Sequence, residues 1–409
     1  IYNFTTRLAK RGHKIILFVP KYPDYEDKKQ RNIIIHRYFA VNLTSNKASK
    51  FAFPNILDIL KKTKQFQPDV IHIQDPFNLG WVGTLASKIY GIPNIQTYHT
   101  YLPDFMVYLR PSKLTGLDKL AIRIKESNLV KKIRVGEFLN RVKIELKEIK
   151  VFRDTRKILR KSLPEFPDIA KGICWGYTRG IYNSADLVIT PTKVMKRILR
   201  KHGIRPKIEV VSNGVEISMI PPKREYKLKK LIVHAGRLGH EKRIDVVIKA
   251  MSHVVQKDPG FKLHIYGPGP AYDKLKALRD KLGLEKNVIF KGALPRNKLL
   301  KVYRNYDLFV TASPMETQGL VVLEAMAAGL PVVGIRKLAV PEMVRHGVGG
   351  YIAQPYNHKQ IAEYILKILQ NKKRWERMGR AAREIASEHD IDKMALKLEN
   401  VYMRVSKKI

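Results

Sequence analysis

Short apolar segments alternate with longer segments of helical periodicity along most of this chain. Residues 231–236 read Leu-Ile-Val-His-Ala-Gly, and apolar residues then recur at helical spacing over 244–254. The same order returns at 306–311, which precede a predicted helix over 319–329. Buried strands that alternate with helices form parallel sheets with helices on both faces. The sequence therefore predicts an α/β protein, and its 409 residues are enough for two domains with separate cores.

Two glutamates, Glu316 and Glu324, stand where the strand at 306–311 gives way to its helix. The first N–H groups of a helix have no intrahelical partner and point beyond the strand end. These N–H groups are suitable donors to a phosphate, and the two carboxylates beside them are suitable acceptors for the hydroxyl groups of a sugar. The alternative is a capped amphipathic helix that carries two unrelated acids.

Residues 314–331 read Pro-Met-Glu-Thr-Gln-Gly-Leu-Val-Val-Leu-Glu-Ala-Met-Ala-Ala-Gly-Leu-Pro. This run resembles the Glu, seven residues, Glu signature of retaining glycosyltransferases of family 4, which have the GT-B fold. The resemblance implies two Rossmann-like, doubly wound parallel-sheet domains that face a cleft. It also implies that Glu316 contacts the donor sugar, that Glu324 binds the ribose of the nucleotide, and that the N–H groups of Gly319 and Leu320 face the diphosphate.

The segment that follows the strand at 231–236 supplies cations. It reads Arg-Leu-Gly-His-Glu-Lys over 237–242 and resembles the family's Gly-Arg-Leu and Glu-Lys pattern. By that resemblance, Arg237 and Lys242 hold the leaving diphosphate. Cations are needed there because breaking the sugar–phosphate bond leaves extra negative charge on the nucleotide, and charge-assisted bonds contribute roughly 1.5–3 kcal/mol each. The alternative is that both are solvated surface cations.

Further segments resemble family landmarks in the expected order. Gly267 lies in a glycine-rich turn after a predicted strand, where the family brings backbone close to the nucleotide. Lys291 and Gly292 end the strand that would lie beside the base, and 212–215, Ser-Asn-Gly-Val, resemble the start of the second domain. Glycines after strands are common in doubly wound sheets, so the order and spacing of these segments carry the resemblance.

The first half of the chain holds two further predicted strands, 69–75 and 92–100, which end in polar residues. Ligands in parallel sheets bind beyond the carboxyl ends of the strands, so Asp75 and Thr100 are candidate substrate contacts. His72 lies inside its strand and is interpreted as a sheet histidine with satisfied hydrogen bonds.

Residues 98–101, Tyr-His-Thr-Tyr, resemble the segment that carries the functional histidine in bacterial diacylglycerol glucosyltransferases and phosphatidylinositol mannosyltransferases. By that resemblance, His99 meets the donor sugar and acts with Glu316 at the reaction centre. The implied reaction transfers a hexose from a UDP-sugar or GDP-sugar to a lipid or glycan hydroxyl, with the anomeric configuration retained. The leaving phosphate takes the acceptor's proton, so we assign no protein general base and no cofactor besides the nucleotide sugar.

UDP-glucose and 1,2-diacylglycerol are the substrates that the Tyr-His-Thr segment favours. The alternative is a GDP-mannose-dependent enzyme that acts on phosphatidylinositol or a cell-surface glycan. The single cysteine, Cys174, excludes a disulfide framework and suits a reducing cytosol. No apolar run approaches the roughly 20 residues of a membrane span, no signal peptide is visible, and no aspartate metal signature occurs. We therefore expect a metal-independent cytoplasmic enzyme.

The formal net charge of +42 raises nucleic-acid binding as a rival function. Both halves of the chain are strongly basic, however, so neither is a dedicated basic tail, and no nucleic-acid-binding motif is visible. An enzyme that docks on anionic lipid explains the same charge, at about 1 kcal/mol for each near-surface Lys or Arg. The predicted partner is therefore an anionic membrane surface, on the inner face of the cell membrane, and not a nucleic acid.

The segment 106–180 is longer than the resemblance predicts and holds 19 basic and 8 acidic side chains, a net charge of +11. Its middle carries an apolar helical stripe of Val135, Phe138, Leu139, Val142, Leu146 and Ile149. Such a helix could lie in a membrane interface or pack as an extra helix on the first domain.

The resemblance covers nearly the whole chain apart from that segment and sets three expected parts. Residues 1–186 form the acceptor-side domain, 187–385 the nucleotide-sugar domain, and 386–409 a helix that crosses back to the first domain. The chain opens at Ile1 inside what resembles the family's first helix, without the preceding strand and glycine-rich loop. We therefore expect the sequence to be a fragment.

Overall fold

The computed structural model describes residues 2–22, 30–42, 50–99, 101 and 166–406. Thr100 and the apolar stripe over 135–149 lie outside the described residues. The chain divides into two compact units, which are described separately. One unit comprises Ile1–Phe39, Ile189–Arg197 and Glu209–Ile409, and the other comprises Ala40–Val188 and Ile198–Ile208.

The first half of the chain contains short strands and amphipathic helices. In chain order these are α1 (Tyr2–Lys10), β1 (Ile15–Pro20), β2 (Ile33–Tyr38), β3 (Ala40–Asn42), β4 (Lys50–Ala52), α2 (Ile56–Phe66), β5 (Ile71–Ile73), α3 (Asn78–Tyr90), β6 (Asn94–Thr97), α4 (Phe166–Tyr182), β7 (Leu187–Thr190), α5 (Lys193–Lys201) and β8 (Lys207–Val210). Strands β1 and β2 pair in parallel, and β3 and β4 pair antiparallel. Strands β5-β6-β7-β8 form a four-stranded sheet in that order, in which β5 and β6 are parallel.

The second half alternates strands with helices, as the sequence predicts. It contains β9 (Leu231–Ala235), α6 (Ile244–Lys257), β10 (Lys262–Tyr266), α7 (Tyr272–Lys281), β11 (Val288–Gly292), α8 (Arg296–Val302), β12 (Leu308–Val310), α9 (Leu320–Ala327), β13 (Val332–Ile335), α10 (Val340–Val344), β14 (Gly350–Ala353), α11 (His358–Leu369), α12 (Lys372–Glu388) and α13 (Ile391–Ser406). One-turn 3-10 helices occur at Ile217–Met219, His240–Lys242 and Tyr303–Asn305.

Strands β9 to β14 form one parallel sheet with the order β11-β10-β9-β12-β13-β14. The chain enters at β9, moves outward through β10 and β11, and then returns to place β12 on the other side of β9. In open parallel sheets, ligands bind beyond the carboxyl ends of the strands, at the point where the strand order reverses. In this sheet that point lies between β9 and β12.

Helices cover both faces of the six-stranded sheet. On one face, Val247 of α6 and Ile361 of α11 belong to a core of fully buried side chains. On the other face, Leu323 of α9 and Ala382 of α12 belong to a second core. Because both faces are covered, β9, β12, β13 and β14 are buried along almost their whole length. Polar residues such as Lys262 and Lys291 remain on β10 and the edge strand β11. The predicted α/β class with doubly wound parallel sheets is confirmed.

A buried carboxylate, Asp307, ties the amino ends of β9 and β12 together. Its Oδ2 accepts hydrogen bonds from the backbone N–H groups of Lys229 and Leu231, both at 2.9 Å. Its Oδ1 lies 3.2 Å from Nζ of Lys223, and both side chains are almost wholly buried. The indole N–H of Trp375 donates to the Asp307 carbonyl oxygen at 2.7 Å. Burial lowers the pKa of Lys223, and the Asp307 carboxylate opposes this effect.

Ion pairs join the first and last helices. Arg7 of α1 pairs with Glu216 at 3.0 Å and with Asp392 of α13, and Arg11 pairs with Glu399 of α13 at 2.7 Å. These contacts place residues 1–39 in the same unit as the C-terminal helix. The domain bounds inferred from the sequence were drawn from the resemblance and stay a prediction. Within the described ranges, no helix is long and apolar enough to cross a bilayer.

We predict that Asp307→Ala lowers the free energy of unfolding by about 3–5 kcal/mol, because it leaves Lys223 buried without its counter-charge. Asp307→Asn keeps an acceptor for the backbone N–H groups and should cost less. Asp273→Asn, an exposed acid on α7, is the control. Urea denaturation measures all three variants, and an Asp307→Ala variant as stable as the control would contradict the prediction.

Candidate active site

The loops that follow β9 and β12 meet at the reversal point of the six-stranded sheet. Nζ of Lys242 donates a hydrogen bond to Oε1 of Glu316 at 2.5 Å, although the two residues lie 74 positions apart. Their side chains are only 24% and 14% exposed, so the pair is partly shielded from water. A cation and a carboxylate therefore lie together where this sheet topology places a ligand.

Glycines allow the ends of three strands to approach one another closely. The N–H of Gly236 donates to the Tyr266 carbonyl at 3.0 Å, and the N–H of Gly267 donates to the Gly292 carbonyl at 2.8 Å. Gly267 has a φ of +130°, and a Cβ there would collide with the carbonyl oxygen of Gly236. The structure thus brings Gly267 and Gly292 together, with the exposed side chain of Lys291 on the same strand end.

The loop that carries Glu316 is anchored from several directions. Gln318 is buried, accepts a hydrogen bond from the N–H of Asn213 at 3.0 Å, and donates to Oγ of Ser212 at 2.5 Å. The hydroxyl of Thr192 donates to the Thr317 carbonyl at 3.0 Å. The Ser-Asn-Gly-Val segment recognised in the sequence therefore holds the acidic loop in place.

Gly319 turns the chain into α9. Its φ of +80° is a left-handed conformation that favours glycine, and Leu320 is the first residue of the helix. The N–H groups of this first turn carry the positive end of the helix dipole. The predicted helix over 319–329 is confirmed, with observed bounds of Leu320–Ala327.

Glu324 lies on the next turn of α9 and is buried. Nε and Nη2 of Arg296 donate to its Oε1 at 3.0 and 2.7 Å. Burial raises the pKa of Glu324, and Arg296 partly offsets this by favouring the charged form. The sequence reading missed Arg296, because a lone arginine at the start of a helix carries no local signal of a partner 28 positions away.

Arg237 lies in the same loop as Lys242 but has a different partner. Its Nη2 donates to Oε1 of Glu241 at 2.7 Å, and its side chain is 40% exposed. The structure therefore places both predicted cations after β9, each against a carboxylate.

A buried histidine lies close to this cluster. Nδ1 of His234 is 2.9 Å from the Val310 carbonyl, so it carries the proton and donates. Burial lowers the pKa of His234 to about 4, with a further lowering by Lys242 and an opposing effect of Glu316. The ring is therefore neutral at physiological pH.

In the other unit, polar side chains follow β5 and β6. Nε2 of His99 lies 2.5 Å from Oε1 of Gln74, and Nε2 of Gln74 lies 2.9 Å from Nε2 of His72. Nε2 of His72 also lies 2.6 Å from the hydroxyl of Thr97. Burial lowers the pKa of His72 to about 3 and that of His99 to about 4. The ring of His72 has hydrogen-bond partners, as expected. The sequence did not indicate Gln74, which connects His72 to His99.

Asp75 follows directly after Gln74. Its Oδ1 accepts the N–H of Phe77 at 3.3 Å, and burial raises its pKa. Thr100, the other candidate contact of this region, is outside the described residues. Across the described parts of the chain, no group of three or more His, Cys, Asp or Glu side chains is placed to hold a metal ion.

Comparison with protein families gives the class of protein. Residues 217–385 match the family model described as glycosyl transferases group 1, and residues 1–133 and 154–219 match that of glycosyltransferase family 4. The chain therefore belongs to the glycosyltransferases of the family 4 and group 1 type, with the GT-B fold that its sequence predicts.

Two relatives and one solved structure illustrate the similarity. The chain is 25% identical over 383 residues to alpha-monoglucosyldiacylglycerol synthase of Streptococcus pneumoniae, and the aligned region covers 90% of this chain and 74% of the synthase. It is 25% identical over 358 residues to sulfoquinovosyl transferase SQD2 of Arabidopsis thaliana, covering 84% of this chain but only 58% of SQD2. The structure of Anabaena Alr3699/HepE in complex with UDP and glucose matches with a TM-score of 0.63 at 17% identity, over 98% and 93% of the two chains.

We predict that Gly267→Ala destabilises the protein by roughly 1–3 kcal/mol more than Gly283→Ala. Both glycines have positive φ, but a Cβ at Gly283 meets open space, whereas one at Gly267 meets the Gly236 carbonyl. The difference between the two variants, measured by urea denaturation, therefore gives the combined cost of the collision and of the φ of +130° at Gly267 against +65° at Gly283. Equal losses would show that the strand ends tolerate a side chain.

His234 should make stability depend on pH. Its pKa is about 4 in the folded protein and 6.5 ordinarily. The free energy of unfolding should therefore be highest above pH 6.5 and fall as the pH drops towards 4, because only the unfolded chain takes up the proton. At about 1.4 kcal/mol per pKa unit, the loss at pH 5 is roughly 2 kcal/mol.

The test compares unfolding at pH 7.5 and pH 5 in the parent protein and two variants. His234→Gln should reduce the decline by roughly 2 kcal/mol, with the rest left to other buried histidines such as His72 and His99. His240→Gln, which changes an exposed histidine after the same strand, should leave the decline unchanged. The same decline in all three proteins would contradict the assignment.

Proposed function

We propose that this chain transfers a hexose from a nucleoside diphosphate sugar, with UDP-glucose as the favoured donor, to a lipid hydroxyl such as that of 1,2-diacylglycerol, with retention of configuration. The observation that carries the proposal is the ion pair of Lys242 and Glu316 at the reversal point of the sheet. A nucleotide sugar needs a cation for its diphosphate and acceptors for its sugar hydroxyls, and this pair offers both in one place.

In this proposal, Lys242 stabilises the leaving diphosphate. An ammonium has three donor hydrogens, so Lys242 can keep its bond to Glu316 and still donate to phosphate oxygens. The charge on the leaving group grows as the sugar–phosphate bond breaks, so the bond from Lys242 strengthens in the transition state. Arg237 supplies a second cation, and the N–H groups of Gly319 and Leu320 donate to the same diphosphate.

Glu316 accepts hydrogen bonds from sugar hydroxyls, and Glu324 accepts them from the ribose. The close strand ends at Gly267 and Gly292 let backbone approach the nucleotide, with Lys291 beside the base. The leaving phosphate takes the acceptor's proton, so the mechanism uses no protein general base and no metal.

We assign His99 to the donor sugar, and Asp75 and Thr100 to substrate contacts in the other unit. A neutral imidazole exchanges hydrogen bonds with sugar hydroxyls without bringing a charge next to the developing positive charge on the sugar. This agrees with the low pKa that burial gives His99.

The acceptor assignment is supported by the glycolipid synthase relative, which aligns with 90% of this chain. The donor assignment is supported by the structural neighbour that binds UDP and glucose. The net charge of +42 would draw the enzyme to the anionic inner face of the cell membrane, where a lipid acceptor lies. The Tyr-His-Thr segment at 98–100 also fits the alternative of GDP-mannose and phosphatidylinositol.

A donor and acceptor panel tests the proposal. Radiolabelled UDP-glucose, UDP-galactose and GDP-mannose are each presented with anionic vesicles that contain diacylglycerol or phosphatidylinositol. We expect label from UDP-glucose in an α-linked diacylglycerol product. Transfer from GDP-mannose to phosphatidylinositol would select the alternative, and no transfer from any donor would overturn the assignment.

Lys242→Ala should lower kcat by roughly 10²-fold or more while changing donor affinity less, because the diphosphate charge grows in the transition state. Lys249→Ala, an exposed lysine on α6, is the matched control. Steady-state kinetics give kcat, and the melting-temperature shift with UDP-glucose gives binding. An unchanged kcat in Lys242→Ala would contradict the proposed contact of this residue with the leaving diphosphate.

A further inference from the structure

Arg296 donates two hydrogen bonds to the same oxygen of Glu324. Nε and Nη2 of Arg296, the first residue of α8, lie 3.0 and 2.7 Å from Oε1 of Glu324. An arginine and a carboxylate frequently pair through two parallel bonds, one to each oxygen. Here Oε2 of Glu324 accepts no hydrogen bond from any residue that the structure describes. The pair therefore occupies one oxygen of the carboxylate and leaves the other as an acceptor.

The two partners differ in their exposure to water. Glu324 is only 4% exposed, whereas the side chain of Arg296 is 50% exposed. A carboxylate in such a buried place stays ionised only where a cation or hydrogen-bond donors compensate for the lost water. Arg296 supplies both the positive charge and the two donors.

The other titratable groups near Glu324 are neutral or bound elsewhere. Burial raises the pKa of Tyr303 well above its ordinary value, so the phenol is neutral, and its buried hydroxyl has no hydrogen-bond partner. On α12, which packs against α9, Arg383 donates to the carbonyl oxygens of Ala327 and Ile220. Within the described ranges, Arg296 is therefore the cation that acts on this carboxylate.

We propose that Arg296 is a positioning residue for nucleotide binding: by holding Oε1 of Glu324, it keeps the carboxylate ionised and presents Oε2 to a ribose hydroxyl. The inference rests on the proposed function, in which Glu324 accepts hydrogen bonds from the ribose. A hydrogen bond from a hydroxyl to an ionised oxygen is roughly twice as strong as one to a neutral group. The ribose is common to UDP-glucose and GDP-mannose, so the inference holds for either donor.

Three side chains at position 296 separate orientation from charge. Lysine keeps the positive charge but lacks the rigid pair of N–H donors. Methionine is a long, uncharged side chain and supplies neither. Arg304→Met, which removes an exposed arginine from the one-turn helix after α8, is the matched control. Urea denaturation checks the fold of each variant, and Arg296→Lys carries the ribose test if Arg296→Met does not fold.

The first measurement compares the binding of UDP-glucose with that of its 2′-deoxyribose and 3′-deoxyribose analogues. Isothermal titration calorimetry gives Kd without any acceptor. For the parent protein, we expect at least one analogue to bind roughly 10-fold more weakly, because it lacks a charge-assisted hydrogen bond. Arg296→Met and Arg296→Lys should reduce this ratio, whereas Arg304→Met should preserve it. The parent's ratio in both Arg296 variants would overturn the orienting role.

The second measurement follows UDP-glucose binding between pH 5.5 and pH 8, where both phosphates, as diesters, stay ionised. Burial raises the pKa of Glu324 and Arg296 opposes this rise, so Arg296→Met should raise that pKa further. As the pH falls, this variant should lose affinity earlier than the parent and bind roughly 10-fold more weakly than Arg304→Met at pH 6. Arg296→Lys keeps the charge and should follow the parent.

A double variant assigns this pH dependence to one group. Adding Glu324→Gln to Arg296→Met removes the titrating carboxyl, so the extra loss of affinity at low pH should disappear. Identical pH profiles in Arg296→Met and Arg304→Met would contradict the role of Arg296 in keeping Glu324 ionised.

Binding by the parent protein separates this inference from the proposed function. Binding of UDP-glucose or GDP-mannose with no loss for either deoxyribose analogue would retain a nucleotide-sugar site and reject the contact of Oε2 with the ribose. Discrimination that Arg296→Met leaves unchanged would retain Glu324 as the ribose acceptor and reject the role of Arg296. No binding of either nucleotide sugar would reject the proposed function and this inference with it.

Discussion

The buried carboxylate of Asp307 sets the geometry on which the candidate site of the six-stranded sheet depends. It binds the backbone N–H groups at the start of β9 and lies directly before β12. The two strands are parallel neighbours, so fixing their amino ends also fixes where their carboxyl ends emerge. Lys242 and Glu316 leave the sheet from those carboxyl ends and meet there. The cost of burying the Asp307 carboxylate is offset by three interactions, with the N–H groups of Lys229 and Leu231 and with Lys223.

Three cations around the site each have a carboxylate partner. Arg237 is paired with Glu241, Lys242 with Glu316, and Arg296 with Glu324. In a chain of net charge +42, these acids keep the basic side chains oriented and limit their mutual repulsion. Under the proposed function, a diphosphate would meet cations that need little reorganisation, which is the condition for strong electrostatic stabilisation of a transition state.

Local pattern accounts for the parts of the structure that the sequence predicted. Apolar runs that end in glycine predicted the strands that lead to Gly236 and Gly292, helical spacing predicted α6, and the stop at Gly329 before Pro331 predicted the end of α9. Both kinds of element can be recognised from a short stretch of sequence, because the side-chain periods of strands and helices differ. The sequence also placed Lys242 and Glu316 at strand ends, but the bond between them depends on the strand order, which periodicity does not contain.

The residues that were missed all act through distant partners. Arg296 meets Glu324 across 28 positions, Gln318 meets Ser212 across 106, and Gln74 meets His99 across 25. The ion pair of Arg7 and Asp392 spans 385 positions. The resemblance implies that the last helix crosses back to the first domain, but it does not indicate this pair. One sequence without the fold gives no information on such pairs, because none of them alters the local pattern of its own element.

Each of the two units contains a side-chain hydrogen bond between the ends of neighbouring parallel strands, but one bond joins charged groups and the other joins neutral groups. In each, a side chain beyond one parallel strand bonds to a side chain beyond a neighbouring strand: Lys242 to Glu316 after β9 and β12, and Gln74 to His99 after β5 and β6. Opposite charges hold each other ionised in the first pair, whereas burial removes the charge from the histidine of the second. The charged pair agrees with the diphosphate contact that we propose for Lys242, because a diphosphate is bound through charge. The neutral ring agrees with the sugar contact that we propose for His99, because a sugar hydroxyl is bound through uncharged hydrogen bonds.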